Sequence, residues 1–369
     1  MPDQSEAAFY QTCCGDDDDE IPPEAVKHYA RRSDAARATD ISRFTSEEEL
    51  DRSLKPHLPS PSEALVRQRP LEDSVFPLIA EYLTYHGKGE WSLRPRTFAV
   101  LKMLGHPELL QEFVTQRRYD SALPYTQGNL PDAVRGLDLR SRFLQLQKLV
   151  ACQESDISAL EEGGKHLHLS KSGDEYFLPH ASLGTGKKGI VDVVISRRTA
   201  RPFARKRLKR GLSAPADAKI LEEFEREIQA LKRLCHNHIV KLVGSYTDSS
   251  NVGLIMTPVA DLNLEEFLAD PKLDAVLRKR RLRPFFGCLA TALSYLHDKD
   301  VRHNDIKPRN ILVKDFGVYL TDFGIAKSWD ENMQSTTLGN HEGYTKRYCP
   351  PELVHGHQVS IPEYGCSST

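Results

Sequence analysis

Val301-Arg302-His303-Asn304-Asp305-Ile306-Lys307-Pro308-Arg309-Asn310-Ile311-Leu312 is the stretch of this 369-residue chain that decides its fold. It follows a helical pattern carrying Phe286, Leu289, Leu293 and Leu296, and it precedes two copies of the tripeptide Asp-Phe-Gly, at Asp315-Phe316-Gly317 and Asp322-Phe323-Gly324. Outward from it, as far back as about Tyr176, short β-like runs alternate with turns and one long amphipathic helix. No repeat of fixed period suggests a solenoid or propeller. The 50 basic and 52 acidic residues nearly cancel, so no global field draws the chain to nucleic acid or a membrane surface. Seven scattered cysteines form no CxxC pair and no zinc spacing, which fits reduced thiols and a cytoplasmic or nuclear location. The N-terminus lacks a basic start and apolar core of the signal-peptide kind, and no uncharged apolar run approaches about 18 residues.

Upstream, Leu183-Gly184-Thr185-Gly186-Lys187-Lys188-Gly189-Ile190-Val191 contains G-x-G-x-x-G. Backbone without Cβ atoms can turn tightly and bring N–H groups onto phosphate oxygens. Alone the pattern also describes a glycine-rich hairpin turn or the loop of a dinucleotide fold. The dinucleotide loop leads into a helix, whereas Ile190-Val191-Asp192-Val193-Val194-Ile195 is β-branched and continues as strand. That favours a strand-loop-strand flap over a nucleotide. The helix from about Asp217 to Leu234 carries Leu221, Phe224, Ile228 and Leu231 on one stripe, with Glu227 beside it.

The opening segment resembles the H-R-D-x-x-x-x-N catalytic loop of eukaryotic-type protein kinases, and the other motifs stand in that family's order. The resemblance implies a two-lobed α+β fold, ATP and Mg²⁺ as cofactors, and transfer of the γ-phosphate to a protein serine or threonine. Asp305 would orient the attacking hydroxyl, and Lys307, placed as in serine/threonine kinases, would neutralise charge on the transferring phosphate. Ala204 and Lys206 hold the spacing of the V-A-I-K strand, so Lys206 would grip the phosphates and Glu227 would pair with it. Asn310 and Asp322 would hold Mg²⁺. Asp315 follows Asn310 by five residues, too few for the intervening hairpin, and is read as a turn residue. Leu183, Gly184, Gly186, Gly189, Val191, Ala204, Met256 and Val259 would line the nucleotide. Arg201, Arg205, Arg207, Lys209 and Arg210 read as a solvated basic cluster or import patch, and Glu222, Glu223 and Glu225 as exposed helix charges. Thr345-Lys346-Arg347-Tyr348-Cys349-Pro350-Pro351-Glu352 resembles the end of an activation segment.

Two departures stand out. Asn304 replaces the arginine that commonly reads an activation-loop phosphate, leaving Ser335, Thr336 and Thr337 as polar loop residues. The chain also ends soon after Glu352, which implies an incomplete larger lobe and either a protein partner over Phe286, Leu289, Leu293 and Leu296 or a catalytically silent, truncated binding module. The expected division is residues 1–67 as a disordered acidic tail, 70–170 as a helical region, 176–258 as the smaller lobe and 259–369 as the truncated larger lobe. The helical region resembles segments that precede kinase domains in fungal kinase-like proteins; Trp91, His106 and Tyr125 in it are expected to be packing or surface residues.

Overall fold

The computed structural model describes residues 47–152, 157, 160–161, 164–186, 189–324, 327–328 and 348. The acidic run Asp16 to Glu20, Ser335 to Thr337, and Thr345 to Glu352 apart from Tyr348 lie outside the described residues.

Seven helices open the described chain: α1 (Glu47–Leu54), α2 (Pro61–Val66), α3 (Val75–Tyr85), α4 (Gly89–Ser92), α5 (Pro95–Leu104), α6 (Leu110–Thr115) and α7 (Leu137–Leu146). The first two correct the expectation of disorder through residue 67. Leu50 and Leu54, four apart on α1, are buried with Leu58 and Ala64 in the main core. Averaged over 67 residues the polar composition hides that short stripe. Ser60 and Glu63 form a reciprocal capping box that fixes the start of α2. α5 is buried nearly all round, and Phe113, Tyr125 and Phe143 pack ring against ring beneath it. Tyr125 is thus a core residue, while Trp91 bonds Gln111 and His106 meets Glu108.

A six-stranded sheet follows, in the order β1-β5-β6-β4-β3-β2. Its strands are β1 (His166–His168), β2 (Phe177–Gly186), β3 (Gly189–Ser196), β4 (Pro202–Lys209), β5 (Lys241–Thr247) and β6 (Asn251–Thr257). β1 corrects the second boundary: His166–His168, inside the expected helical region, lies parallel to β5 as part of the sheet. Three residues are too few to display a period of two.

The long helix α8 (Ala214–Lys232) crosses one face of the sheet. Pro215 in its first turn needs no N–H partner there, and Leu221, Phe224, Ile228 and Leu231 form the buried stripe. The other face has its own core of Leu160, Leu167, Phe177, Val194, Phe203, Tyr246 and Ile255.

The second lobe contains β7 (Leu262–Asn263), α9 (Leu264–Ala269), α10 (Ala275–Asp298), β8 (Val301–Arg302), β9 (Ile311–Lys314), β10 (Gly317–Leu320) and β11 (Lys327–Ser328). Asn263 and Glu266 form a capping box on α9, and Asp274 accepts from Leu277 N at the start of α10. The stripe expected to lie uncovered on α10 is divided. Leu296 is buried and Leu289 and Leu293 are partly so, whereas Phe286 is 71% exposed. The mixed α+β, two-lobed architecture preceded by helices is the expected one.

Candidate active site

Strand alternation puts Ala204 and Lys206 on the face of β4 that meets α8, and Arg205 and Arg207 on the opposite face. Lys206 Nζ donates to Glu227 Oε1 and Oε2 at 2.7 and 2.8 Å and to Asp322 Oδ1 at 3.0 Å. Burial favours the neutral amine, but the charges of Glu227 and Asp322 outweigh it and hold Lys206 above the ordinary lysine value. The ammonium is therefore fixed between α8 and the segment after β10. On the far face Arg205, fully buried, pairs with Asp192 at 2.7 Å and Asp174 at 2.7 Å. Arg210 is buried too, against Asp217 at 2.6 Å. These two are not the solvated cationic surface the sequence suggests. Glu225 is likewise no free surface charge: it accepts from Ser121 Oγ, and burial raises its carboxyl.

The glycine loop is a hairpin, β2 to β3, with Gly186 opposite Gly189 and Gly184 opposite Val191. Gly189 has φ +112°, and a Cβ there would lie 2.2 Å from Arg207 O, so only glycine fits. Gly184 and Gly186 would meet nothing, which leaves room above the sheet for a ligand. Leu183 is exposed on β2, and Val191 is half-buried in register with Lys206. Ala204 pairs in register with buried Met256 of β6, and Val259 follows that strand half-buried.

In the catalytic segment, the turn at Pro308–Asn310 brings Asn310 back onto Asp305. Asn310 Nδ2 donates to Asp305 O at 2.8 Å and to Oδ2 at 3.0 Å, and Lys307 Nζ donates to the same Oδ2 at 2.8 Å. Asp305 is buried, which suits a carboxylate held in one orientation. His303 was quoted in the motif but given no role from sequence, and it proves to be a strut. Its Nδ1 receives Asp305 N at 3.3 Å, so Nε2 carries the proton donated to Thr321 O at 2.9 Å. Its ring packs at a tilt against Phe323, with centroids 4.7 Å apart. Thr321 N also donates to Asn310 O at 3.0 Å. The Asp305 and Asp322 groups are thus joined through one backbone unit. Asp315, by contrast, sits at φ +51° in the β9–β10 turn, where Lys314 pairs with Gly317.

Oxygen donors from Asp322 and Asn310 suit a hard cation that keeps waters and phosphates as its other ligands. Among the described residues no group of three or more His, Cys, Asp or Glu could hold a metal alone. No described helix is long and apolar enough to cross a membrane.

Comparison with known proteins agrees with this geometry. Serine/threonine-protein kinase 33 of Mus musculus is 30% identical over 207 residues, 51% of this chain and 39% of its own. Cyclin-dependent kinase 7 of Xenopus laevis is 30% identical over 225 residues, 61% of this chain and 53% of its own. An Aurora kinase of Schizosaccharomyces pombe is 34% identical over 181 residues, 47% of this chain and 46% of its own. The chain therefore spans about half the length, or less, of these relatives. Residues 177–364 match the family described as protein kinase domain, and since that span exceeds half the chain and contains both carboxylate groups, the chain belongs to the protein kinase family.

Proposed function

We propose that the chain is a protein serine/threonine kinase that uses ATP with Mg²⁺. The observation that carries this reading is Lys206 held between Glu227 and Asp322, with that aspartate tied through Thr321 to the Asp305–Lys307–Asn310 cluster. Bound Mg-ATP supplies the phosphoryl group. Lys206 steers the phosphates, with Glu227 fixing the direction of its amine. Gly184, Gly186 and Gly189 let the β2–β3 hairpin approach closely, while Leu183, Val191, Ala204, Met256 and Val259 offer the apolar walls for the base. Asn310 and Asp322 hold the metal. Asp305 orients a serine or threonine hydroxyl and takes its proton, and Lys307 offsets the charge that develops on the transferred group. Serine/threonine preference is supported by Lys307, two residues after Asp305, and by the similarity to the mouse serine/threonine-protein kinase 33. The substrate is a protein segment presenting that hydroxyl.

The test is transfer of labelled phosphate to a mixed serine/threonine peptide library by the full chain, beside its Asp305→Asn and Lys206→Met variants. Wild-type transfer reduced about 100-fold or more in both variants supports the reading. A Mg-ATP-dependent rise in melting temperature with no transfer favours instead a catalytically silent nucleotide-binding module. Lys206→Met with unchanged ATP affinity and turnover overturns the assignment of Lys206.

A further inference from the structure

The helices before the kinase region are packed against the N-terminal half of α8, and the joint is polar and buried. Asp217, in the first turns of α8, is fully buried. Its carboxylate receives Arg210 Nε at 3.0 Å, Arg210 Nη2 at 2.6 Å, Gly211 N at 3.1 Å and, from the helical region, Asn129 Nδ2 at 3.2 Å. Arg210 in turn reaches Ala122 O at 2.7 Å and Pro124 O, again in the helical region. Arg118 donates to Ala214 O at the start of α8, and Ser121 donates to Glu225 about three turns further along. Gly128 closes the joint: a Cβ there would lie 2.4 Å from Leu212 O. Asp217 and Glu227 share one rigid helix, ten residues or roughly 15 Å apart, so a rotation that carried Glu227 away from Lys206 would tear Asp217 from this knot.

We infer that the preceding helical region is an intramolecular brace that holds α8 with Glu227 on Lys206, with Asp217, Arg210 and Asn129 as its positioning residues. Kinases depend on the position of this helix for the lysine–glutamate pair. Here the contacts that fix it come from the same chain, and Asn304 stands where an arginine could have coupled that position to an activation-loop phosphate. The brace makes the pair independent of a bound activator. It rests on the kinase reading for its catalytic meaning, but not for its structural content.

The experiment uses the full chain and two variants outside the nucleotide site. Asp217→Asn removes the charge and keeps the shape, and Gly128→Ala wedges the joint apart. Without nucleotide, the acylation rate of Lys206 by an amine-selective reagent and the hydrogen exchange of α8 amides are expected to rise about tenfold in both. Peptide phosphorylation is expected to lose kcat with little change in the KM for peptide, and neither variant should cost further kcat in a Glu227→Gln background. Acylation and exchange within about twofold of wild type overturn the brace, whether or not the chain transfers phosphate. A wild type that transfers no phosphate, with both nucleotide-free signals raised in the variants, removes the catalytic reading and leaves the brace. Should a variant fail to fold, exchange of the wild-type chain in rising denaturant decides: α8 opening together with α5 supports the brace, and α8 opening while α5 stays protected overturns it.

Discussion

Asp315 and Asp322 carry the same tripeptide in different physical settings. Asp322 is the acceptor of Lys206 at 3.0 Å, whereas Asp315 lies in the β9–β10 turn; both have left-handed φ, +66° and +51°, which asparagine adopts with ease. Asp322→Asn should abolish the Mg-ATP thermal shift and lower transfer about 100-fold or more, while Asp315→Asn should leave both within about twofold. Measuring both variants side by side checks the assignment; equal losses would reverse it. The turn position of Asp315 was legible in sequence because a hairpin needs a minimum chain length. The strut role of His303 was not, since the bonds that define it end on backbone atoms of Asp305 and Thr321, which carry no residue signature.

β1 illustrates the element scale. His166 is half-buried and its ring is held at both nitrogens: Thr247 Oγ1 gives its proton to Ser121 O and so accepts from His166 Nε2, leaving His166 Nδ1 to accept from Ser245 Oγ. Burial lowers His166 to about 3, with Lys232 and Arg96 adding to it, and burial likewise holds His168 well below the ordinary value. Both are neutral in the folded state at neutral pH. Above the ordinary histidine value of about 6.5 they add nothing to the pH dependence. Below it the unfolded chain binds protons that the folded chain refuses, so stability falls as pH drops through that value towards the depressed folded one. His166 should cost about 2 kcal/mol between pH 7 and pH 5, read from urea midpoints, and His168 should add to that loss in the same direction. Replacing His168 by Gln should flatten that slope; an unchanged slope would contradict its neutral burial. The sequence concealed this strand because three residues show no period, and its stabilising partners lie some 80 positions away, as Ser245 does from His166.

At the scale of the molecule, the larger of the two hydrophobic cores among the described residues runs from Leu50 and Leu54 through Phe113 and Phe143 to Phe224, Met256, Phe285 and Leu320. A continuous core joined by a buried ion pair predicts that the helical region and both lobes unfold together. Calorimetry of the full chain should show one transition whose calorimetric and van't Hoff enthalpies agree; two resolved transitions would mean separable units. The two lobes were legible because phosphoryl-transfer motifs restrict residue types at short, ordered spacings. The union with the preceding helices was not, because Asn129 and Asp217 lie 88 residues apart and each looks ordinary in its own window.

β1 also covers the hydrogen-bonding edge of β5. An uncovered sheet edge is a template on which another chain can add a strand. Proteolysis between the helical region and β2 would release that short cover. The nicked protein would then tend to self-associate edge to edge, linking solubility to the integrity of a three-residue strand.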